Sequence, residues 1–389
     1  MIFQIPTDYV SIKPYVDLRE RYERHINRKF VSSADDSRSD MLTRFRVGLD
    51  LGAQKYGLTG KIEYQYAHDW FWMQPQNGSA RNSDLSLGWL RYQAPDKSWW
   101  AQAGRQKIAI GQQRLIGMAE WTTLGRSFDA LRVGHGQWDI WGGKLGVATV
   151  KPETARVAAL THTDPKWGQG SIIYKHDVAP KGKIDIETLD YVADYPIWTG
   201  KLDGEGALQF GNDNGKTQQA WAYHIRYTLP ILPKTTASIE YNAASGGSTS
   251  DTNRTFDSLF PTNHDLYGLS DLSVWRNLND LAFTVQTDAV KNLTLKGEYH
   301  IQSLRDASDG WYGSNGINPR VGGSFVDPTG KSGRDLGNEV DLLGIYKTKN
   351  LGTFQAGIAF FNPGDFIKSF TGHANQQIYG FLQYQVLFK

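Results

Sequence analysis

Residues 221–230 read WAYHIRYTLP, with Trp221, Tyr223, Ile225, Tyr227 and Leu229 alternating with Ala222, His224, Arg226 and Thr228. Successive side chains of a strand point to opposite faces, so this stretch predicts a strand with one apolar and one polar face. The same period runs through 44–51, 61–66, 238–241, 281–286 and 293–301. It returns in 382–388, which ends on Phe388 one residue before Lys389. Counting such segments gives about sixteen strands, near 13–24, 40–52, 57–69, 84–94, 98–108, 128–136, 138–148, 170–179, 182–194, 216–229, 234–244, 275–288, 292–304, 337–348, 351–361 and 376–388. Of these, 84–94 and 98–108 alternate least cleanly.

The connections carry a second signal. Pro95-Asp96-Lys97, Gly136-Gln137, Pro180-Lys181, Pro230 to Pro233, Lys291-Asn292 and Lys349-Asn350 mark short turns, whereas 25–39, 70–83, 109–127, 149–169, 245–274 and 305–336 are long polar stretches. Short turns at the periplasm and long loops outside are how a bacterial outer-membrane barrel is strung, and an even strand number leaves both termini on the short-turn side. The fold class is therefore all-β: a transmembrane antiparallel β-barrel, read as a single domain over residues 1–389, with the odd face of 221–229 toward lipid and the even face toward a channel. A soluble β-sandwich shares the alternation. Against it stand Tyr and Trp grouped near strand ends and strands of about 10–13 residues, longer than soluble strands usually run.

Composition agrees. The chain has 13 Trp, 19 Tyr, 17 Phe, 41 Gly and no Cys, with a mean hydropathy of −0.48. Many aromatics at low hydropathy suit strands whose every second residue faces water. Absence of cysteine fits passage through an oxidising compartment without disulfides. The balance of 42 Lys+Arg against 40 Asp+Glu argues against a nucleic-acid partner. No run of 18 apolar residues is present, so no transmembrane helix is expected. Nor does a basic-then-apolar leader precede Met1–Pro6, and the barrel reading expects a signal peptide to have been removed before Met1.

Three stretches go beyond barrel character. Gly104-Arg105-Gln106-Lys107-Ile108-Ala109-Ile110-Gly111-Gln112-Gln113-Arg114-Leu115-Ile116-Gly117 is followed by Trp121 and by Gly125-Arg126-Ser127-Phe128-Asp129-Ala130-Leu131-Arg132. Thr255-Phe256-Asp257-Ser258-Leu259-Phe260-Pro261-Thr262-Asn263-His264 leads to Tyr267-Gly268 and Asp271, and Gly337-Asn338-Glu339-Val340-Asp341-Leu342 precedes Asn362-Pro363-Gly364-Asp365-Phe366. Together they resemble the alginate export family of outer-membrane barrels, from about Val16 to Phe388. The resemblance implies a monomeric barrel in the outer membrane of a Gram-negative bacterium. It also implies a channel lined by arginine and lysine that conducts a polyuronate out of the periplasm, and eighteen strands where periodicity counts about sixteen.

Independently of that resemblance, the alternation assigns an inward set: Asp17, Arg19, Arg21 and Glu23; Arg44, Arg46 and Asp50; Lys61, Glu63, His224, Arg226, Glu240, Lys296, Glu298, Glu339 and Asp341. An arginine or lysine on the lipid face costs about 2–4 kcal/mol at mid-membrane, which pins the register wherever charges repeat every second residue. Glu20 breaks the rule and is expected at the periplasmic rim or in a bulge. Arg105, Arg114, Arg126 and Arg132, with Asp129, surround one long loop and are the foremost candidates to grip passing carboxylates through the planar guanidinium fork. The competing reading has them brace the loop by pairing with Asp129, Glu120 and Asp341. The loop around 255–271 is expected either to fold inward as a constriction or to cover the mouth.

No catalytic or metal signature survives inspection. Thr329-Gly330-Lys331-Ser332 lacks the first glycine of a phosphate loop, since Phe325 stands there. Gly204-Glu205-Gly206 meets Gln209 where a dinucleotide motif needs its third glycine. The nine histidines form no His-Glu-x-x-His pair and no Gly-x-Ser-x-Gly occurs, so neither a zinc site nor a serine nucleophile is expected. Carboxylate pairs at i and i+2, Asp185/Glu187 and Glu339/Asp341, read as solvated lumen wall rather than as an acid and base. The chain is thus expected to be no enzyme and to need no cofactor. It is expected to be a channel for anionic or sugar-like solutes, with polysaccharide export as the first substrate class and a general diffusion porin as the alternative. Its expected partners are an anionic polysaccharide or small anionic solute, outer-membrane lipid and, for an exporter, periplasmic secretion proteins.

Overall fold

The computed structural model describes residues 10–28, 30, 37–71, 83–146, 155–179, 182–313 and 325–389. The strands are β1 (Ser11–Ile26), β2 (Arg38–Ala53), β3 (Leu58–Asp69), β4 (Ser83–Gln93), β5 (Trp99–Gln106), β6 (Phe128–His135), β7 (Trp138–Leu145), β8 (Arg156–Asp164), β9 (Gly168–Ala179) and β10 (Gly182–Ile197). They continue with β11 (Gly200–Asp213), β12 (Lys216–Leu232), β13 (Thr235–Ala244), the two-residue β14 (Thr252–Asn253), β15 (Leu278–Thr287), β16 (Leu293–Leu304), β17 (Asp335–Thr348), β18 (Gly352–Pro363) and β19 (Gln377–Phe388). One short helix, α1 (Asp365–Thr371), follows β18. Apart from β14, each strand pairs antiparallel with the next in the wall, and β1 closes the ring against β19. Closure leaves no unpaired sheet edge, which a chain crossing hydrocarbon requires.

The barrel has eighteen wall strands, not about sixteen, because β8 and β11 hide from a search for alternation. On β8 both faces are small or apolar: Val157 and Ala159 are buried inside while Ala158 and Leu160 face out. On β11, Gly204 and Gly206 occupy outward positions between lumen-facing Asp203, Glu205 and Ala207. Those glycines open an outer groove of about 370 Å³ between Tyr191 and Tyr223. With the two added strands, the end of β9 at Ala179 and the start of β10 at Gly182 fall at the long-loop end of the barrel; the 180–181 turn lies outside the described residues.

The register bears out the two-faced reading of β12. Ala222 and His224 are each 2% exposed, while Tyr223 and Ile225 are 40% and 47% exposed. At the periplasmic end, Trp99, Trp138, Trp167 and Trp198 stand exposed on the outside, half of an aromatic girdle. Segment 84–94 alternates poorly because β4 carries a bulge opposite Glu63 and Tyr64. Leu85 faces out, Ser86 and Leu87 are both buried, and the parity flips thereafter.

Two expectations fail on this frame. Glu20 lies neither at the rim nor in a bulge: it sits within β1 in unbroken register, opposite Thr43 and Tyr384 on the outer face. Its carboxylate accepts a hydrogen bond from Thr43 Oγ1 at 2.6 Å, and that hydroxyl accepts one from Trp70 Nε1 at 2.7 Å, so the polar group is satisfied locally. Asp185 and Glu187 share the outward parity of Leu189 and Tyr191 on β10 and are not lumenal.

Segments 107–127 and 245–277 fold into the barrel. Ile116 pairs with Phe260 in a parallel bridge, and Phe260 N donates to Leu115 O at 2.8 Å while Gly117 N donates to Phe260 O at 2.8 Å. Ile108, Leu115, Ile116, Phe256, Tyr267 and Trp275 from these segments form an apolar core with inward residues of the wall such as Phe128, Trp141 and Ile173. This explains the apolar inner face of β6 to β9: it meets loop, not water.

The two-faced register yields a direct test. Ile225→Arg, at mid-strand on the outer face, is expected to lower folding stability by about 2–4 kcal/mol. Urea titration of the barrel refolded in lipid, followed by heat-modifiable gel mobility, checks this; an unchanged midpoint would remove lipid from that face.

Candidate functional site

A loop drawn into a barrel takes its carbonyls away from bulk water, and each then needs a donor. Arginine supplies five N–H groups on one head. Arg19 Nη1 donates to Glu120 O at 2.7 Å and its Nη2 to Thr122 O at 3.0 Å. Arg21 Nη1 donates to Trp121 O at 2.8 Å, and Arg46 Nη2 to Leu124 O at 3.1 Å. The Glu120 carboxylate completes the joint, 3.0 Å from Arg44 Nη1, 2.9 Å from Arg46 Nη1 and 2.6 Å from Lys107 Nζ. Burial alone would raise its carboxyl, but Arg46, Arg44 and Lys107 outweigh that and hold it well below the usual carboxylate range.

The inserted segments also lock to each other and to the far wall. Trp121 stacks on His264 with ring centroids 3.6 Å apart, and the Arg21 guanidinium lies 3.8 Å above the same indole. Arg126 Nη1 donates to Gly117 O, Phe260 O and Pro261 O, at 3.0, 2.5 and 2.8 Å. Burial pushes the Arg126 guanidinium down to about 10, so it remains protonated at neutral pH. Arg114, 1% exposed, reaches Glu240 Oε1 at 2.8 Å and Tyr267 OH at 3.1 Å. On β17, Glu339 Oε1 accepts from Ser270 N at 2.8 Å and Asp341 Oδ2 from Leu269 N at 3.1 Å. Lys296 on β16 pairs with Asp265.

Beneath these loops the wall keeps partly exposed cations. Arg226 is 3.0 Å from Asp203 and Arg132 donates from Nε to Asp139 at 2.9 Å. Arg91 lies 3.9 Å from the Trp100 ring centre, Arg132 5.4 Å from the same ring, and no carboxylate pairs with Arg91 among the described residues. Gly134 makes room for this group, since a Cβ there would fall 2.3 Å from Trp100 Nε1. Arg91 is two residues from the periplasmic end of β4, so the group sits at the periplasmic end of the lumen.

The family profile for alginate export matches residues 14–145 and 158–381. The chain belongs to the alginate export family. No curated protein matches this alginate export family member in sequence. Among solved structures it is similar to Pseudomonas aeruginosa OccK2 (OpdF), with a TM-score of 0.63 at 10% identity over 97% of this chain and 98% of that one. It is also similar to Pseudomonas aeruginosa OccK11 (OpdR), with a TM-score of 0.61 at 12% identity over 97% and 96% of the two chains. A complex of OccK2 with glucuronate aligns with a TM-score of 0.61 at 10% identity, over 97% and 98%. At such identities the likeness is one of fold. Family and fold together make this an outer-membrane β-barrel channel of a Gram-negative bacterium.

Within this alginate export barrel, the residues singled out by pattern fall into five groups. Arg19, Arg21, Arg44 and Arg46 face inward and hold the first loop; Arg114 and Arg126 belong to that loop and tie it to the second; Glu339 and Asp341 hold the second. Arg132 and Arg226 face the lumen below. Arg105 and Asp129 are a correction: they share the parity of Ala103 and the exposed Leu131, so their ion pair, Nε to Oδ1 at 2.7 Å, lies on the outer face. Arg91 was missed because the β4 bulge hides its parity, and Trp100 because Trp99-Trp100 puts an indole on each face.

The Glu120 joint predicts a pH response. A carboxyl depressed in the folded state contributes stability that is complete above its unfolded value and is lost only as pH falls through its folded value. Bilayer recordings are therefore expected to stay equally quiet from neutral pH to about pH 4, whereas Glu120→Gln shows enlarged open-state fluctuations throughout. Equal noise in both proteins would remove Glu120 as the joint.

Proposed function

We propose that this channel passes uronate-class anions, free or within a polymer. The observation that carries the reading is the group Arg91, Trp100 and Arg132 at the periplasmic end of the lumen. A guanidinium grips a carboxylate through two parallel hydrogen bonds, and an indole beneath it keeps the fork in one orientation at small entropic cost. Arg91 is the member whose charge is not matched by a carboxylate partner among the described residues, so an incoming acid has a cation to meet. Further cations at Arg132 and Arg226 are partly offset by Asp139 and Asp203, which favours weak binding and ready release, as conduction needs.

The comparisons support the same class from two sides. Alginate is a polyuronate, and the glucuronate held by OccK2 in its complex is a single uronate. Loops packed inside the barrel favour a cargo one sugar wide. Each chain closes its own barrel, so the channel needs no second copy to be complete, and polymer export would add periplasmic partners.

Single-channel recording across a salt gradient tests this. The reversal potential is expected to show a mild anion preference that Arg91→Gln moves toward zero. Glucuronate and oligouronates are expected to block the current where neutral hexose oligomers of equal length do not. Equal block by both, with no selectivity, would make it a general diffusion porin.

A further inference from the structure

We propose that Glu298, His300 and Asp341 form a divalent-cation site in the barrel wall beneath the second inserted loop. The three residues face inward from β16 and β17, and one ligand atom from each lies within 4.8 Å of the others. His300 is 3% exposed, and its Nδ1 is 3.0 Å from Asp280 Oδ1. An ionised carboxylate only accepts, so Nδ1 carries a proton, and Nε2 is the ring atom left to serve as a ligand once an ion displaces any proton on it. Asp280 is fixed in turn by Asn242 Nδ2, 3.0 Å from its other oxygen. A carboxylate that orients an imidazole from behind is the usual support of a metal-binding histidine.

Nε2 has no hydrogen-bond partner, and its nearest carboxylate oxygen, Asp341 Oδ2, is 4.0 Å away, too far for a hydrogen bond but suited to two ligands flanking an ion. Asp341 Oδ1 and Glu339 Oε2 are also buried without partners. Among the described residues, Asp280, Glu298, Glu339 and Asp341 thus gather four carboxylates around two basic groups, His300 and Lys296, the latter 2.7 Å from Glu298 Oε2 and shared with Asp265. Buried charge of one sign is costly unless paired, and a divalent ion would restore most of the balance. One imidazole with carboxylates suits zinc or manganese better than calcium or magnesium, which prefer oxygen alone. Since Asp341 and Glu339 also accept from Leu269 N and Ser270 N, the ion would anchor the second inserted loop to the wall.

The test is calorimetric titration of chelator-stripped protein in detergent with zinc, manganese and calcium, alongside metal analysis of the protein as purified. One equivalent of zinc or manganese per chain is expected, with calcium weaker. Asp280→Asn, nearly isosteric, is expected to weaken binding about 10–100-fold, and His300→Gln to abolish the stoichiometric event. Heat-modifiable mobility reports that each variant is still a closed barrel. No binding of any of the three ions, or zinc binding unchanged in both variants, overturns the site and leaves shared protons as the neutralising charge.

Discussion

Arginine hydrogen-bonded to loop carbonyls is the interaction on which the interior depends. The wall is self-sufficient because every strand pairs with two neighbours. The inserted loops are not: outside regular structure, their carbonyls must find donors in a space with little water. Four arginines on two adjacent strands provide them from one side, and Arg126 does so from within the loop. Lysine would fill this role poorly, because three donors on a rotating ammonium cannot span two carbonyls in a plane as a guanidinium does. The cluster therefore has a structural reason to be arginine that is independent of any solute.

This division of labour alters what a charged lumen means. Most of the guanidinium groups that periodicity places inside are engaged by carbonyls and by Glu120, whereas Arg91 pairs with no carboxylate among the described residues. On the proposed function, selectivity and architecture would rest on different arginines. Arg19, Arg21, Arg44 and Arg46 hold the first inserted loop, and Arg91 and Arg132 are the groups proposed to meet the solute.

Much of the fold was legible because a membrane enforces strict alternation wherever strands carry charge. β12, β2 and β16 declare both faces in sequence, and the inward set drawn from them stands in the structure. β8 and β11 were illegible for opposite reasons: the inner face of β8 packs against loop and is as apolar as its outer face, and β11 places glycine where a lipid-facing side chain would reveal the period. Arg105 and Asp129 show a further limit. Paired charges are tolerated outside, so charge alone does not mark the lumen. The role of Arg19 and Arg44 as donors to carbonyls was beyond sequence, because it depends on which way a distant loop folds.

The long-loop end of the barrel is uneven. Between β11 and β12 the chain turns through only Asn214 and Gly215, both in the left-handed region with φ of 53° and 86°, and a side chain added at Gly215 would meet no atom within 4 Å. The space around Gly215 is open even though its neighbours Asn214, Lys216 and Thr217 are tied to β10 and to the second loop. This hairpin tip is therefore the natural splice point for a display epitope: a peptide grafted there would be presented to antibodies on intact cells, leaving conduction untouched and giving a handle for counting assembled copies at the surface.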